Sequence, residues 1–166
     1  GQAIYFKDGD FINVSRNSGW ETLQHGLSVD FWVKKVSGSD RIELFDINNG
    51  VELYLENGNT VTAAITDTSN NKVVVNGSSI STNAWTHIAF TFEPSSNEMV
   101  LYVNGMQVNS FIANDFGPLA ISGSVHIGPE SSSESVLLLL DEVKISNVVR
   151  HDYEIGHSAN IIVNKA

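Results

Sequence analysis

Two carboxylates on one face of a strand are where hydrolytic chemistry would start, because cleaving a glycosidic bond takes one carboxyl group as acid and a second as base or nucleophile. The run Glu52-Leu-Tyr-Leu-Glu56 offers such a pair. Side chains switch faces at each residue of a strand, so Glu52, Tyr54 and Glu56 point the same way. An alternating polar face on a solvated strand makes the same pattern without catalysis, and it is the reading adopted. Glu43 and Asp46 fall on opposite faces and fit the chemistry less well. The chain has no cysteine, no Gly-x-Ser-x-Gly elbow and no phosphate-cradling glycine loop, so nucleophilic and phosphoryl chemistry lack their parts. Its histidines, at 25, 87, 126, 151 and 157, show no His-x-x-x-His or other close ligand spacing of the kind a zinc site uses. His87 and His126 lie in strand-like segments, where a backbone or hydroxyl partner is the ordinary fate of a histidine. The pattern predicts a protein that is not an enzyme.

Recognition makes lighter demands: an aromatic face for a sugar to stack on, with Asn, Asp and Ser side chains to hydrogen-bond its hydroxyls. Loop position and chemistry nominate Trp20, Asn48, Asn49, Tyr54, Asn70 and Asn71 as ligand-binding residues. Trp20 follows Ser18-Gly19 in a loop-like stretch, where its indole either stacks on a ligand or caps the open end of the fold. The formal charge of -10, from 19 acidic against 9 basic residues, argues against nucleic acid, whose partners present a basic stripe. It leaves two readings, the solubility of a surface module or carboxylates gathered around a divalent cation.

The elements that must carry these residues read as antiparallel strands. Residues 85–92 and 99–108 alternate apolar and polar around a Glu93-Pro-Ser-Ser-Asn97 turn, and Asn104-Gly105 has the positive-φ chemistry of a type I′ hairpin. In residues 27–34, Leu27, Val29, Phe31 and Val33 take one face, the core. Ser28, Asp30, Trp32 and Lys34 take the other, where Trp32 is either packed or offered to a sugar. Turn clusters recur at short intervals, and the prolines at 94, 118 and 129 fall between strands, which is the spacing of a β-sandwich. No long helical stripe is found; residues 147–155 could hold a short helical turn before a last strand at 160–164. At 166 residues and 42% hydrophobic, the chain fits one domain over 1–166 with a core of its own. No apolar run reaches the length that spans a bilayer and no signal-type amino terminus is seen, so membrane insertion is not expected. The absence of cysteine fits a reducing compartment or a bacterial or phage exterior better than a disulfide-dense secreted module.

Several of these segments, in order, resemble the laminin G-like domains of the concanavalin A-like lectin/glucanase superfamily. The resemblance is carried by residues 3–14 with Asp8-Gly9-Asp10, by Phe31-Trp-Val-Lys34, by Trp85-Thr-His-Ile-Ala89 and Leu101-Tyr-Val-Asn-Gly105, by Val125-His-Ile-Gly128 and by Asp141-Glu-Val-Lys-Ile145. It implies an all-β fold, a two-sheet antiparallel jelly roll, with Trp85 and His87 as structural residues. It also implies one structural calcium near the opening loop and the Asp-Glu-Val strand, mapped here onto Asp8, Asp10 and Asp141, although Lys7 stands where the family commonly has its first Asp. Asp8-Gly9 read as a plain turn is the alternative. The superfamily's glycosidases carry Glu-x-Asp-x-Glu, which Tyr54 interrupts here. The function implied is a non-catalytic recognition module on a cell or virion surface that binds carbohydrate. The alternative is a structural or protein-interaction module, such as a virion decoration or fibre domain, that binds a surface protein and no sugar.

Overall fold

The computed structural model describes residues 2–48, 50–130 and 135–160. Among them the chain forms β1 (Ile4–Lys7), β2 (Ile12–Val14), a 3-10 helix (Ser18–His25), β3 (Leu27–Ser37), β4 (Ile42–Ile47), β5 (Val51–Glu56), β6 (Thr60–Thr66), β7 (Lys72–Ser79), β8 (Trp85–Glu93), β9 (Glu98–Val103), β10 (Met106–Ile112), β11 (Val125–Ile127), β12 (Leu137–Ser146) and α1 (Asp152–Asn160). They build two six-stranded sheets, ordered β1-β12-β3-β8-β9-β10 and β2-β11-β4-β5-β6-β7, every paired neighbour antiparallel. The all-β sandwich expected from the alternation is what forms.

Alternation decides which way each strand faces. Leu27, Val29, Phe31 and Val33 of β3 point inward and are fully buried with Phe45, Leu53, Ile65, Ile88 and Phe90, in one apolar cluster that joins the sheets. Burying a side chain of this size is worth about 1.5–3 kcal/mol, which makes this cluster the main source of stability. The β9–β10 hairpin closes at Asn104 (φ 52) and Gly105 (φ 78), the two positive values a type I′ turn requires.

Three local expectations are corrected. The stretch at Ser18 is not a loop: Asn17 caps a 3-10 helix by accepting the Gly19 N–H at 2.8 Å. The helical turn expected at 147–155 lies later and is longer, as α1, and the strand expected at 160–164 falls almost wholly outside the described residues. Trp85, expected in the core, opens β8 on the outer face of the first sheet and is 37% exposed, because its inward-facing neighbours are Thr86 and Ile88.

The same outer face is half covered by the C-terminal segment. Ile155 of α1 is buried against Ala89 and Tyr102, and the Tyr102 hydroxyl donates to Asp152 Oδ1 at 2.7 Å. Arg150 reaches down to Asp30 on β3, and Ser28 Oγ donates to Val148 O at 2.7 Å.

Candidate functional site

The 3-10 helix walls the end of the sandwich where β3 begins. It exists because Leu23 on its inner side is buried in the core while Asn17, Gly19 and Thr22 turn its other side toward the end of β12. Between the helix and residues 145–148 runs an open groove of about 530 Å³, lined by Asn17, Trp20, Thr22, Ile145, Asn147 and Val148 among others. Asn147 Nδ2 donates to Thr22 Oγ1 at 3.2 Å, and that hydroxyl donates to Gly19 O at 2.6 Å, so the two walls are tied together. Trp20 is half-buried: it packs against the core, its Nε1 donates to Ser15 O at 3.4 Å, and it still lines the groove.

The remaining nominated residues do not join it. Asn48 (φ 47) turns the β4–β5 connection and its Nδ2 donates to Ser122 Oγ at 3.1 Å. Asn70 and Asn71 lie in the β6–β7 turn, Asn71 Nδ2 donating to Asp67 Oδ2 at 2.8 Å. Asn49 lies outside the described residues. Tyr54, expected at a rim, is 5% exposed, because the Arg41 guanidinium lies over its ring at 3.6 Å from the centroid on the outer face of the second sheet. A neighbouring groove of about 430 Å³ between Gln24, Phe92, Pro94, Asn97, Phe116 and Pro118 was not foreseen. Gln24 fastens its wall, donating through Nε2 to Leu119 O at 2.8 Å and accepting from Leu119 N at 3.1 Å.

Glu52 and Asp30 are held by neighbouring cations and hydrogen-bond donors. Glu52, expected on a solvated face, is buried; one oxygen accepts from Arg41 at 2.5 Å and the other from Lys72. Both oxygens that a glycosidase would use are thus occupied by cations of the protein itself. Asp30 and His87, both fully buried, pair on β3 and β8 with His87 Nε2 donating to Asp30 Oδ1 at 3.2 Å, so the histidine's partner is a carboxylate and not a hydroxyl. Burial alone would raise the Asp30 pKa; the His87 hydrogen bond and the charges of Lys144 and Arg150 outweigh it and hold the carboxyl below its ordinary value. Through Arg150 this network pins the C-terminal segment to β3.

The carboxylates expected as calcium ligands each accept a main-chain N–H. Asp8 Oδ1 accepts from Val136 N, Asp10 Oδ2 from Lys7 N at 3.1 Å and Asp141 Oδ1 from Glu142 N at 2.8 Å. Asp8 thus anchors the opening loop to the start of β12, Asp10 closes a local turn, and Asp141 shapes the bulge at Glu142 (φ 52). Among the described residues no three His, Asp or Glu side chains come together to hold a metal ion.

Two antiparallel six-stranded sheets, with two open grooves among the described residues, define a jelly-roll β-sandwich. The chain belongs to the laminin G branch of the concanavalin A-like lectin/glucanases superfamily, whose family model matches residues 6–156. No curated protein sequence matches it. Among solved structures it is similar to the binding domain of Paraclostridial Mosquitocidal Protein 1, with a TM-score of 0.82 at 16% identity, over 98% of this chain and 46% of that one. The receptor binding domain of botulinum neurotoxin C/D mosaic serotype superposes with a TM-score of 0.79 at 18% identity, over 96% of this chain and 44% of that one. The binding domain of botulinum neurotoxin DC, solved in complex with rat synaptotagmin II, gives 0.76 at 14% identity, over 95% and 46%. The chain spans less than half the length of each, and likeness at these identities speaks to fold.

Proposed function

We propose that this domain is a non-catalytic recognition module of an extracellular or virion surface and that it binds carbohydrate in the groove beside Trp20. The observation that carries the reading is the groove itself, where an indole shares one open cleft with the amide of Asn17, the hydroxyl of Thr22 and the amide of Asn147. An apolar ring face with polar groups at its edge is what a sugar ring, with its own apolar face and equatorial hydroxyls, selects. Occupation of both Glu52 oxygens by cations supports binding without turnover. No helix among the described residues is long and apolar enough to cross a membrane.

The test is a glycan array followed by titration of the best ligand. Trp20→Ala should weaken binding about tenfold, the loss of roughly 1.4 kcal/mol that one aromatic stacking contact provides. An unchanged affinity would remove the groove from the reading. A protein partner is the second reading, favoured by the structural neighbour whose binding domain was solved with synaptotagmin II. An array with no hits beside a protein ligand found by cross-linking to the intact surface would favour it.

A further inference from the structure

The C-terminal segment covers only part of the outer face of the first sheet. The row through Asp30 and Ala89 lies under Arg150 and Ile155, and the next row, Asp141-Trp32-His87, contains a nearly buried Trp32. One row further the face is open. There the register places Tyr5 of β1, Leu139 of β12, Lys34 of β3 and Trp85 of β8 side by side across four adjacent strands. Tyr5 is 56% exposed and Trp85 37%, with Leu139 and Lys34 partly exposed between them. Three strand spacings separate the rings, about 14 Å at the usual interstrand distance, which is longer than one sugar ring.

Charge sets this row apart from the rest of an acidic chain. Arg16, Arg41, Lys72, Lys144 and Arg150 each pair with a carboxylate, and Lys35 turns inward to Gly38 O and Asn59. Among the described residues Lys7 and Lys34 alone have an ammonium without a partner. Lys34 sits in the row, and Lys7 follows Tyr5 by two residues on the same face of β1, beside Leu137. In a protein of net charge -10, two uncompensated cations flanked by exposed aromatic rings form a local patch complementary to anionic groups.

From this juxtaposition we infer that the outer face of the first sheet is a second binding surface, independent of the Trp20 groove, for an extended polysaccharide that carries carboxylate groups. Tyr5 and Trp85 stack on sugar faces at the two ends of the row. Lys34 pairs with a carboxylate on the chain between them, and Lys7 receives a second. A flat sheet face suits a chain lying across it, whereas a monosaccharide would touch one ring only.

The experiment uses the full chain with polygalacturonate, its fully methyl-esterified form and phosphatidylserine vesicles as probes. Polygalacturonate should bind, weaken steeply as salt rises, and bind at least about tenfold better than the esterified polymer, which keeps the rings and loses the charge. Lys34→Gln should lower polygalacturonate affinity about fivefold to tenfold, the paired Tyr5→Ala and Trp85→Ala change by a similar factor, and Trp20→Ala should leave it unchanged. All of these positions are exposed or half-buried, and unchanged melting temperatures would show that the variants keep their fold. The salt dependence and the ester comparison need no variant at all. Equal binding of both polymers, wild-type affinity in Lys34→Gln, or loss of polygalacturonate binding on Trp20→Ala would each overturn the assignment. Vesicle binding that needs Lys34 and Trp85, with no polymer bound, would replace it with a lipid surface.

Discussion

Asp67 shows how much of this structure rests on single polar side chains. Its Oδ1 accepts the Ser69 and Asn71 N–H groups, each at 2.8 Å, and its Oδ2 accepts from Gly117 N at 3.0 Å and Asn71 Nδ2 at 2.8 Å. The Gly117 hydrogen bond is the chief cause that draws its pKa from 3.8 to about 2, against burial that would raise it, with Asn71 and Ser69 adding to the pull. A carboxyl whose folded pKa is depressed contributes stability that is complete above its unfolded pKa and is lost as pH falls through the folded one. The contribution of Asp67 should therefore disappear between pH 3.8 and about 2. Urea unfolding across that window should show the Asp67→Asn variant less stable at neutral pH and losing less on acidification than the wild type. Parallel pH curves for the two proteins would mean that the network does not depend on the charge. None of this was legible in the sequence, where Asp67 belongs to no motif. Its partner Gly117 lies 50 positions away, and only folding brings it near.

The elements were legible where local chemistry decides them. Asn104-Gly105 specifies its hairpin through backbone conformation alone, and the alternation in Leu27 to Val33 specifies its faces through the pleat. The 3-10 helix and α1 were misread because neither carries a long apolar stripe: one is fixed by a single cap and Leu23, the other by Ile155 and the contacts of Arg150. The hairpin and α1 also depend on each other. A Cβ at Gly105 would lie 2.9 Å from Ala159 Cβ, besides being strained at its positive φ. Gly105→Ala should cost about 1–2 kcal/mol, since the strain alone is of that order. Hydrogen exchange should find the amides of α1 losing protection before those of β8 and β9. If Gly105→Ala lowers the melting temperature while α1 keeps its protection, the turn and the helix are separate, and the helix is held by Ile155 and Arg150 alone.

At the scale of the molecule, a two-layer sandwich follows from short alternating strands that must each bury one face, which is why the sequence resemblance and the architecture agree. A site is a different matter, since it joins residues that only topology brings together. The Trp20 groove needs residues 17–23 and 145–148, and Trp20 was the sole nominated member because nothing local marks Asn147 or Val148 as its neighbours. Asp8, Asp10 and Asp141 make a related point, since three acidic residues alike in a family pattern each accept a main-chain N–H from a different stretch of chain. A ligand that binds only the folded state adds RT ln(1 + [L]/Kd) to its stability, about 2.7 kcal/mol at a hundredfold excess over Kd, an effect readily seen in a melting curve. With Asp8, Asp10 and Asp141 engaged by Val136, Lys7 and Glu142, thermal melting in millimolar calcium and in chelator should coincide. A calcium-dependent rise abolished by Asp141→Ala would show instead that the ion outcompetes these N–H donors and draws the opening loop and β12 together. A rise that survives Asp141→Ala would place calcium elsewhere, bound mainly by carbonyls and waters.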